Sequence, residues 1–375
     1  MRKRRKPLFR RSLHVVCYWL GAKLVFQNYA TGARVTADPL TCQVLDFFDE
    51  WRPAEALARR FGSYTRASLK KALVRLTRHS LVHRSDQPAH PAEKALEAWR
   101  PWNPAAGFFH LSTKDVAYED NTAAVNRFLR RQARTWPMPA AVKHYPRARK
   151  FPLPPPKREG EFARVLLARR TWRRFAPGAV TLSSLGTLLG LTWGVQDWVK
   201  SPGLGRLALK TSPSGGARHP IEAYVVALRV AGLPRGLYHY AADSHRLELL
   251  QLGTTRQQLT SWLANQYWFG SAAAVVLMTA VFPRSQWKYQ HARAYRVVLL
   301  DAGHLCQTFC LVATWLNLAP FCTAALADTR IEKALGIDGV TESVLYVAGV
   351  GALRAGEPWT PWPEPRPASS SRKKI

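Results

Sequence analysis

The sequence predicts an α+β protein in which helices surround a mixed central sheet, preceded by a smaller unit of strands and three helices. Residues 13–36 alternate between apolar and polar positions, as strands of a half-buried sheet do. Residues 39–79 instead repeat apolar positions at helical spacing. Continuous apolar runs at 223–228 and 273–280 are typical of strands buried on both faces. A chain of 375 residues is long enough for two hydrophobic cores, so we expect two domains.

The net charge is strongly positive, with 55 Lys and Arg residues against 24 Asp and Glu residues, a balance of +31. Such a charge favours an acidic partner, a polyanion or a membrane surface. Most of the basic residues are Arg and they are spread along the chain, so a compositional bias of the source genome explains the charge equally well. The charge alone therefore does not predict a nucleic-acid partner.

The five cysteines are scattered, and only Cys306 and Cys310 are close in sequence. A three-residue gap within an apolar run favours two small hydrophobic side chains on one helix face. No pair has zinc spacing with histidines, and an odd count argues against a disulfide framework. We expect no metal, no secretory signal and no membrane span, and therefore a cytoplasmic protein.

Residues 1–88 are predicted to form a winged-helix domain, because a small sheet is followed by three helices and a closing strand. Winged helices often bind DNA, and basic residues on the third helix could contact phosphates. A solvated helix face in a purely structural domain is the alternative. The predicted helices are Pro39–Phe48, Pro53–Phe61 and Thr65–His79, the closing strand is Leu81–His83, and the basic residues are Lys70, Lys71, Arg75 and Arg78.

Residues 89–160 are expected to form a connector with a proline-rich stretch at Pro146–Pro156, residues 161–356 a larger domain, and residues 357–375 a flexible tail. Within the connector, the aromatic residues between Trp99 and His110 indicate ordered packing. The further elements predicted are helices at Asn121–Arg134, Phe162–Arg170, Leu182–Trp193 and Val297–Leu318, a hairpin of Gly236–Tyr240 with Arg246–Leu250, and a last strand at Ser343–Ala348.

Two segments of the larger domain carry binding chemistry. The segment Arg169–Phe175 holds four arginines, and the planar fork of Arg suits a phosphate. The loop Pro213–Gly216 is small and polar, so its backbone can approach a planar ligand closely. Alone, each has an ordinary interpretation, since the first could be a solvated basic stretch and the second a common turn.

The pair Lys288-Tyr289 is the catalytic candidate. A tyrosine is a poor base at its ordinary pKa near 10, but an adjacent ammonium group favours the phenolate. A surface Lys-Tyr pair without function is the alternative that context must decide.

In their order and spacing, these segments resemble the SagB/ThcOx branch of the FMN-dependent nitroreductase superfamily, which oxidises azoline rings in ribosomally made peptides. The resemblance covers residues 160–356, where Ala217–Glu222, Tyr224 and Gly236–Tyr240 continue the motif frame. Asp301 departs from it, since the branch more often has Glu there. Residues 12–88 resemble more loosely the PqqD-type domains, which bind a leader peptide as an added strand.

This resemblance implies a nitroreductase-like FMN fold and roles for particular residues. Tyr289 would be the base, tuned by Lys288. The roles of His219 and His304 stay open. The residues implied to bind FMN are Arg169, Arg170, Thr171, Arg173, Pro213, Ser214, Gly215, Gly216, Gly349, Gly351 and Arg354; those implied to line a substrate pocket are Arg293, Tyr295, Arg296 and Glu342.

The function implied is an FMN-dependent dehydrogenase that converts peptide thiazolines or oxazolines to thiazoles or oxazoles. Its partners would be a precursor peptide, a cyclodehydratase of the same pathway and a second copy of the chain. Residues 1–88 of this chain would bind the leader of the precursor peptide. One alternative is an NAD(P)H-dependent flavin reductase of quinones or nitroaromatics. Another is a winged-helix DNA-binding regulator with a degenerate flavin domain.

Overall fold

A computed structural model describes residues 6–135, 152–201 and 205–354, with a few isolated positions (141, 143, 147, 150, 356, 359 and 360). The chain folds into two compact units. Unit 1 comprises residues 1–114, 281–298 and 337–343, and unit 2 comprises residues 115–280, 299–336 and 344–375. Most of the predicted tail at 357–375 and part of the proline-rich stretch at 146–156 lie outside the described residues.

The described residues form sixteen strands and twelve α-helices. The strands are β1 (Leu8–Arg11), β2 (Val15–Leu20), β3 (Lys23–Asn28), β4 (Arg34–Thr36), β5 (Arg52–Pro53), β6 (Val82–Arg84), β7 (Val180–Thr181), β8 (Asp197–Ser201), β9 (Gly205–Leu209), β10 (Ile221–Ala227), β11 (Val230–Ala231), β12 (Gly236–Ala241), β13 (Arg246–Leu252), β14 (Ala274–Val281), β15 (Leu318–Thr323) and β16 (Glu342–Ala352). The α-helices are α1 (Pro39–Phe47), α2 (Ala54–Arg60), α3 (Arg66–Arg78), α4 (Pro91–Ala95), α5 (Ala105–Ser112), α6 (Thr122–Thr135), α7 (Glu161–Ala168), α8 (Leu182–Thr192), α9 (Arg256–Trp262), α10 (Phe282–Gln286), α11 (Ala294–Trp315) and α12 (Asp328–Leu335).

The first part of unit 1 contains the predicted strands, three helices and closing strand, together with two strands that were not predicted, β1 at the start and β5 between α1 and α2. The helices begin where the sequence provides caps: Asp38 accepts the backbone N–H of Thr41 at the start of α1, and Thr65 accepts that of Ser68 at the start of α3. The strands form two sheets, β5-β1-β6 and β2-β3-β4. The apolar faces of α1, α2 and α3 meet in one core that includes the fully buried Phe48 and Leu76.

Residues 89–114 also belong to unit 1. Trp99 and Trp102 are fully buried and pack edge-on against each other and against Phe282. The packing that was expected of the aromatic residues between Trp99 and His110 is therefore present.

Unit 2 is built on a six-stranded sheet in the order β13-β12-β10-β14-β16-β15. The strand β14 is buried over nearly its whole length, and β10 is buried except at Glu222 and Tyr224, largely as the continuous apolar runs at 223–228 and 273–280 predicted. The pairs β10–β12, β10–β14, β12–β13 and β15–β16 are antiparallel. Phe269 and Phe321 stack at 4.0 Å between ring centroids in the core under this sheet.

The long apolar helix differs from its predicted bounds of Val297–Leu318. It begins at Ala294 and ends at Trp315, and after Asn317, which has a φ of 54°, the chain continues as β15. Apolar residues continue on both sides of Asn317, so the apolar pattern alone did not mark this boundary, although Asn is a residue at which helices often end. By length and composition this helix could cross a membrane, contrary to the expectation that no segment could, although the core helices of soluble proteins meet the same criterion.

Candidate functional site

The loop at residues 213–216 has an unusual backbone. Gly216 has a φ of 63°, and the following Ala217 and His219 have φ values of 55° and 43°. Only glycine adopts this left-handed region without a penalty, so the two non-glycine residues are held there by their surroundings. Part of that hold comes from Ser214, whose Oγ accepts the backbone N–H of His219 at 2.8 Å.

The side chains that fix the loop come from α11. Ser214 Oγ donates to Asp301 Oδ2 at 2.5 Å, and the backbone N–H of Gly215 donates to Asp301 Oδ1 at 3.3 Å. Ser212 Oγ lies 2.7 Å from Thr308 Oγ1, and His304 Nδ1 lies 3.3 Å from the carbonyl oxygen of Pro213.

We call the contacts of Asp301 with Ser214 and Gly215 the loop clamp. Asp301 is its centre, because it is 4% exposed and accepts hydrogen bonds from both loop residues. Burial raises the pKa of its carboxyl group, while the hydrogen bonds from Ser214 and Gly215 oppose that rise. Sequence reasoning did not assign this role. The signal was present, since Asp301, His304 and Thr308 form a polar stripe on one face of an otherwise apolar helix.

The arginine segment follows α7 and runs beside the edge of the sheet. The backbone N–H of Trp172 donates to the carbonyl of Pro320 in β15, and that of Ala176 donates to the carbonyl of Ala352 in β16. The guanidinium of Arg170 forms hydrogen bonds within its own segment, because it donates to the carbonyl oxygens of Leu167 and Arg169.

Arg169 and Arg173 are half-buried, and among the described residues neither forms an ion pair with a carboxylate. Burial lowers the pKa of Arg173. Two partly desolvated cations without an acidic partner, beside the half-buried hydroxyl of Thr171, have the donor chemistry that a phosphate group requires.

The glycines at the end of β16 are explained by packing. A Cβ at Gly349 would lie 2.4 Å from the ring of Phe321, and one at Gly351 would lie 2.5 Å from the ring of Phe175. Any side chain at either position would displace an aromatic residue of the core. Contact of these glycines and of the half-buried Arg354 with a cofactor stays a prediction.

Lys288 and Tyr289 lie in unit 1, directly after α10. Lys288 is exposed, Tyr289 is half-buried, and the Lys288 ammonium lies 5.6 Å from the centroid of the Tyr289 ring. The backbone of Tyr289 is fixed at both polar groups, because its N–H donates to the carbonyl of Ser285 and its carbonyl accepts the indole N–H of Trp102 at 2.8 Å. The connector thus supports the catalytic candidate.

The four residues predicted to line a substrate pocket have different surroundings. Arg293 and Arg296 are exposed, and Glu342 is half-buried at the start of β16. Tyr295 is 6% exposed, and its hydroxyl lies 2.9 Å from His110 Nδ1, whose ring is also buried. These contacts give Tyr295 a packing role in unit 1, and a contact with substrate stays a prediction for all four.

Two motifs that follow the loop in sequence, the segment that ends at Tyr224 and Gly236–Tyr240, lie on the neighbouring strands β10 and β12. Tyr224 in β10 is opposite His239 in β12, and their rings lie 5.1 Å apart. His239 lies between two carboxylates, with Nε2 3.2 Å from Glu222 and Nδ1 2.7 Å from Glu248. The hydrogen bond to Glu222, followed by that to Glu248, raises the pKa of His239 to about 9.

An amphipathic groove of about 930 Å³ lies on the surface of unit 1, between β1, β5, α2 and α3. Its floor is apolar and its rim is basic. Glu55 is the acidic residue that lines it, and its carboxylate is paired with Lys6 at 2.6 Å. The apolar lining includes Phe9, Leu57, Leu69, Leu73 and Val74, and the basic lining consists of Lys6, Arg59, Arg66, Lys70 and Arg84.

Comparison with known proteins supports one family for residues 166–352, which include most of unit 2 and the unit 1 segments 281–298 and 337–343. The sequence profile described as "Nitroreductase family" matches residues 166–352. Protein MJ1384 of Methanocaldococcus jannaschii, which carries a nitroreductase name, is 30% identical over 173 residues, or 46% of this chain and 83% of that protein.

Two further relatives are named as processing proteins. Trifolitoxin-processing protein TfxB of Rhizobium leguminosarum bv. trifolii is 34% identical over 176 residues, which is 45% of this chain and 46% of TfxB. Microcin B17-processing protein McbC of Escherichia coli is 28% identical over 146 residues, which is 37% of this chain and 53% of McbC. The chain thus spans about half the length of these two relatives.

Proposed function

The chain belongs to the nitroreductase family, and we propose that it is an FMN-dependent dehydrogenase that oxidises peptide thiazolines or oxazolines to thiazoles or oxazoles. Members of this family are generally flavin-dependent. The observation that carries the choice of a peptide substrate is the basic-rimmed groove of unit 1, which occurs in the same chain as the family domain. Relatives named as processing proteins of trifolitoxin and microcin B17 support the same choice.

The residues of unit 2 fit FMN by their donor chemistry. The half-buried guanidinium groups of Arg169 and Arg173 and the hydroxyl of Thr171 would hold the phosphate. The loop of Ser214 and Gly216, held by Asp301, would present its backbone to the planar ring system. Arg170 would contribute charge rather than a direct contact, because its guanidinium is bonded to the end of α7.

The reaction removes one proton and one hydride from the azoline ring and leaves an aromatic azole. FMN, when bound, supplies the hydride acceptor. Tyr289 would take the proton as general base, and the ammonium of Lys288 would stabilise the phenolate that does so. The hydrogen bonds to the backbone of Tyr289 would fix the chain segment that carries the base, while the half-buried side chain stays accessible to a peptide.

Unit 1 would bind the leader of the precursor peptide in the groove. An extended peptide could place apolar side chains on the floor, while its acidic side chains meet Arg59, Arg66 and Lys70. β5 is only two residues long and is one of the two edge strands of its sheet, and we propose that an added strand would pair there. Arg75 does not serve this surface, since it is bonded to Asp38 and Thr41.

The remaining partners follow from the proposed reaction. A cyclodehydratase of the same pathway would make the azoline, the enzyme would act in the cytoplasm, and a second copy of the chain would complete a homodimer.

The test is conversion of a synthetic azoline peptide by the purified, FMN-loaded protein, followed by mass spectrometry. A loss of two hydrogen atoms per azoline supports the proposal. Reduction of quinones or nitroaromatics by NAD(P)H without oxidation of the peptide would instead assign a flavin reductase.

Leader binding has its own test. The double variant Arg66→Glu/Lys70→Glu is expected to weaken the binding of an acidic leader peptide about tenfold at low salt. Lys23→Glu, an exposed change on β3 outside the groove, is the matched control. Equal affinities of the two variants would remove the groove from the proposal.

A further inference from the structure

Three cysteine side chains of unit 2 lie together. Cys306 and Cys310 are one turn apart on α11, and Cys322 comes from the neighbouring strand β15. Their sulfur atoms all lie within 4.8 Å of one another. Cys306 and Cys310 are buried, and Cys322 is half-buried. The sequence did not predict this cluster, because Cys322 lies in β15, and the apolar pattern did not show where α11 ends and β15 begins.

The spacing suits a single bound ion. A zinc–thiolate bond is about 2.3 Å long, so thiolates that share one tetrahedral zinc ion lie about 3.8 Å apart. Sulfur atoms within 4.8 Å of one another therefore need shifts of about 1 Å or less, which side-chain rotations supply.

A basic side chain and a hydroxyl group lie beside the cluster. The charge of Arg169 acts on Cys322, and the hydroxyl of Tyr346 is hydrogen-bonded to Cys322. A divalent ion with three thiolates carries one net negative charge. The partly buried Arg169, whose charge acts on Cys322, would reduce the cost of burying that charge.

We propose that Cys306, Cys310 and Cys322 form a site for a thiophilic divalent cation, with Zn²⁺ as the ion. Three thiolates are a soft donor set that selects such ions over Mg²⁺ or Ca²⁺. The hydroxyl of Tyr346, bonded to Cys322, provides an outer-shell contact or the fourth ligand. On binding, Zn–S bonds replace S–H bonds, the thiol protons pass to solvent, and nothing is oxidised or reduced.

The site would tie α11 to β15 near the loop clamp. Asp301 lies on α11 five positions before Cys306, so the ion would fix the helix that presents Asp301 to Ser214 and Gly215. This inference concerns the chain's own thiols and does not rest on the proposed reaction.

The test is titration of the full-length, metal-free protein with Co²⁺ in the absence of oxygen and with a phosphine reductant. We expect one Co²⁺ per chain with an intense thiolate-to-cobalt absorption band, which excess Zn²⁺ removes. Cys322→Ser is expected to lose the band and to bind Co²⁺ at least tenfold more weakly. The double variant Cys17→Ser/Cys42→Ser, which alters the two cysteines outside the cluster, is the matched control and is expected to retain the band.

A second measurement uses only the wild-type protein, in case the Cys322→Ser variant does not fold. Zn²⁺ is expected to protect the three cluster cysteines from alkylation, as peptide mapping would show, and to leave the exposed Cys17 reactive. A wild-type protein that shows no charge-transfer band, or a band that persists in Cys322→Ser, would overturn the proposal. The three cysteines would then be small hydrophobic side chains of the core.

Discussion

The two regions that carry the proposed chemistry are held in different ways. The loop of unit 2 is fixed through side chains, because the buried carboxylate of Asp301 accepts hydrogen bonds from Ser214 and Gly215. The Lys288-Tyr289 segment of unit 1 is fixed through its backbone, which is bonded to Ser285 and Trp102.

The difference matches what each region would do. A loop that binds a cofactor must keep one shape, and a buried charged acceptor enforces that shape strongly. A catalytic base needs a fixed position but an accessible, titrating side chain, and hydrogen bonds to the backbone alone meet both needs. The comparison predicts that variants of the two regions separate cofactor binding from turnover.

The largest effect is expected for Tyr289→Phe, which removes the hydroxyl that would take the proton. The turnover number for azoline oxidation is expected to fall about 100-fold or more, because general-base catalysis typically contributes that much. Retention of FMN should stay unchanged. Tyr118→Phe, at an exposed tyrosine of unit 2, is the control. Full activity of Tyr289→Phe would remove Tyr289 as the base.

The next effect is expected for Asp301→Ala, which leaves the Ser214 hydroxyl and the Gly215 N–H without their acceptor. Loss of such charged hydrogen bonds costs about 1.5–3 kcal/mol, so we expect FMN to dissociate about 10- to 100-fold more readily. Fluorescence of the released flavin measures this. Asp197→Ala, at an exposed position in β8, is the matched change. Equal FMN affinity in both variants would contradict the role of the clamp.

A smaller effect is expected for Trp102→Phe, which keeps an aromatic ring in the core but removes the N–H bonded to the Tyr289 carbonyl. Turnover is expected to fall about fivefold, in line with one lost hydrogen bond of about 1 kcal/mol, while FMN affinity holds. Trp19→Phe, at an exposed tryptophan of β2, is the comparison. If Trp102→Phe instead weakened FMN binding and left turnover unchanged, it would contradict the claim that the two regions affect cofactor binding and turnover separately.

The smallest effect concerns pH and His239. Because Glu222 and Glu248 raise its pKa to about 9 from an ordinary value of 6.5, this interaction stabilises the fold fully below pH 6.5, and the stabilisation is lost as the pH rises through about 9. We expect the free energy of unfolding to fall by about 1–2 kcal/mol from pH 6.5 to pH 9.5, after allowance for solvent screening. In His239→Gln this part of the decline should be absent. The free energy of unfolding is measured by chemical denaturation at each pH. An equal decline with pH in the wild-type protein and in His239→Gln would contradict the raised pKa.

Local patterns were sufficient to predict many elements of the fold. The apolar run at 223–228 predicted β10, and apolar positions at helical spacing in 39–48 and 65–79 predicted α1 and α3. The patterns failed where an apolar helix passes directly into an apolar strand at Asn317, so β15 was missed. Periodicity does not distinguish a buried helix from a buried strand over a short run.

The candidate site shows the same limit. The loop and the Lys-Tyr pair were recognised from sequence, whereas their supports were not, because Asp301 and Trp102 lie far from them along the chain. The cysteine cluster depends on β15 in the same way. A local pattern, such as the polar stripe of α11, marks a residue as unusual, but the partner that it contacts is set by the tertiary fold.

The most direct test of the central claim is an anaerobic titration of the purified, FMN-loaded protein with an azoline peptide, followed through the visible absorption of the flavin. We predict that the peptide bleaches the absorption by one flavin equivalent per azole formed, that admission of oxygen restores it, and that Tyr289→Phe bleaches at least 100-fold more slowly. Bleaching by NAD(P)H but not by the peptide would contradict the account and make the protein a nicotinamide-dependent flavin reductase.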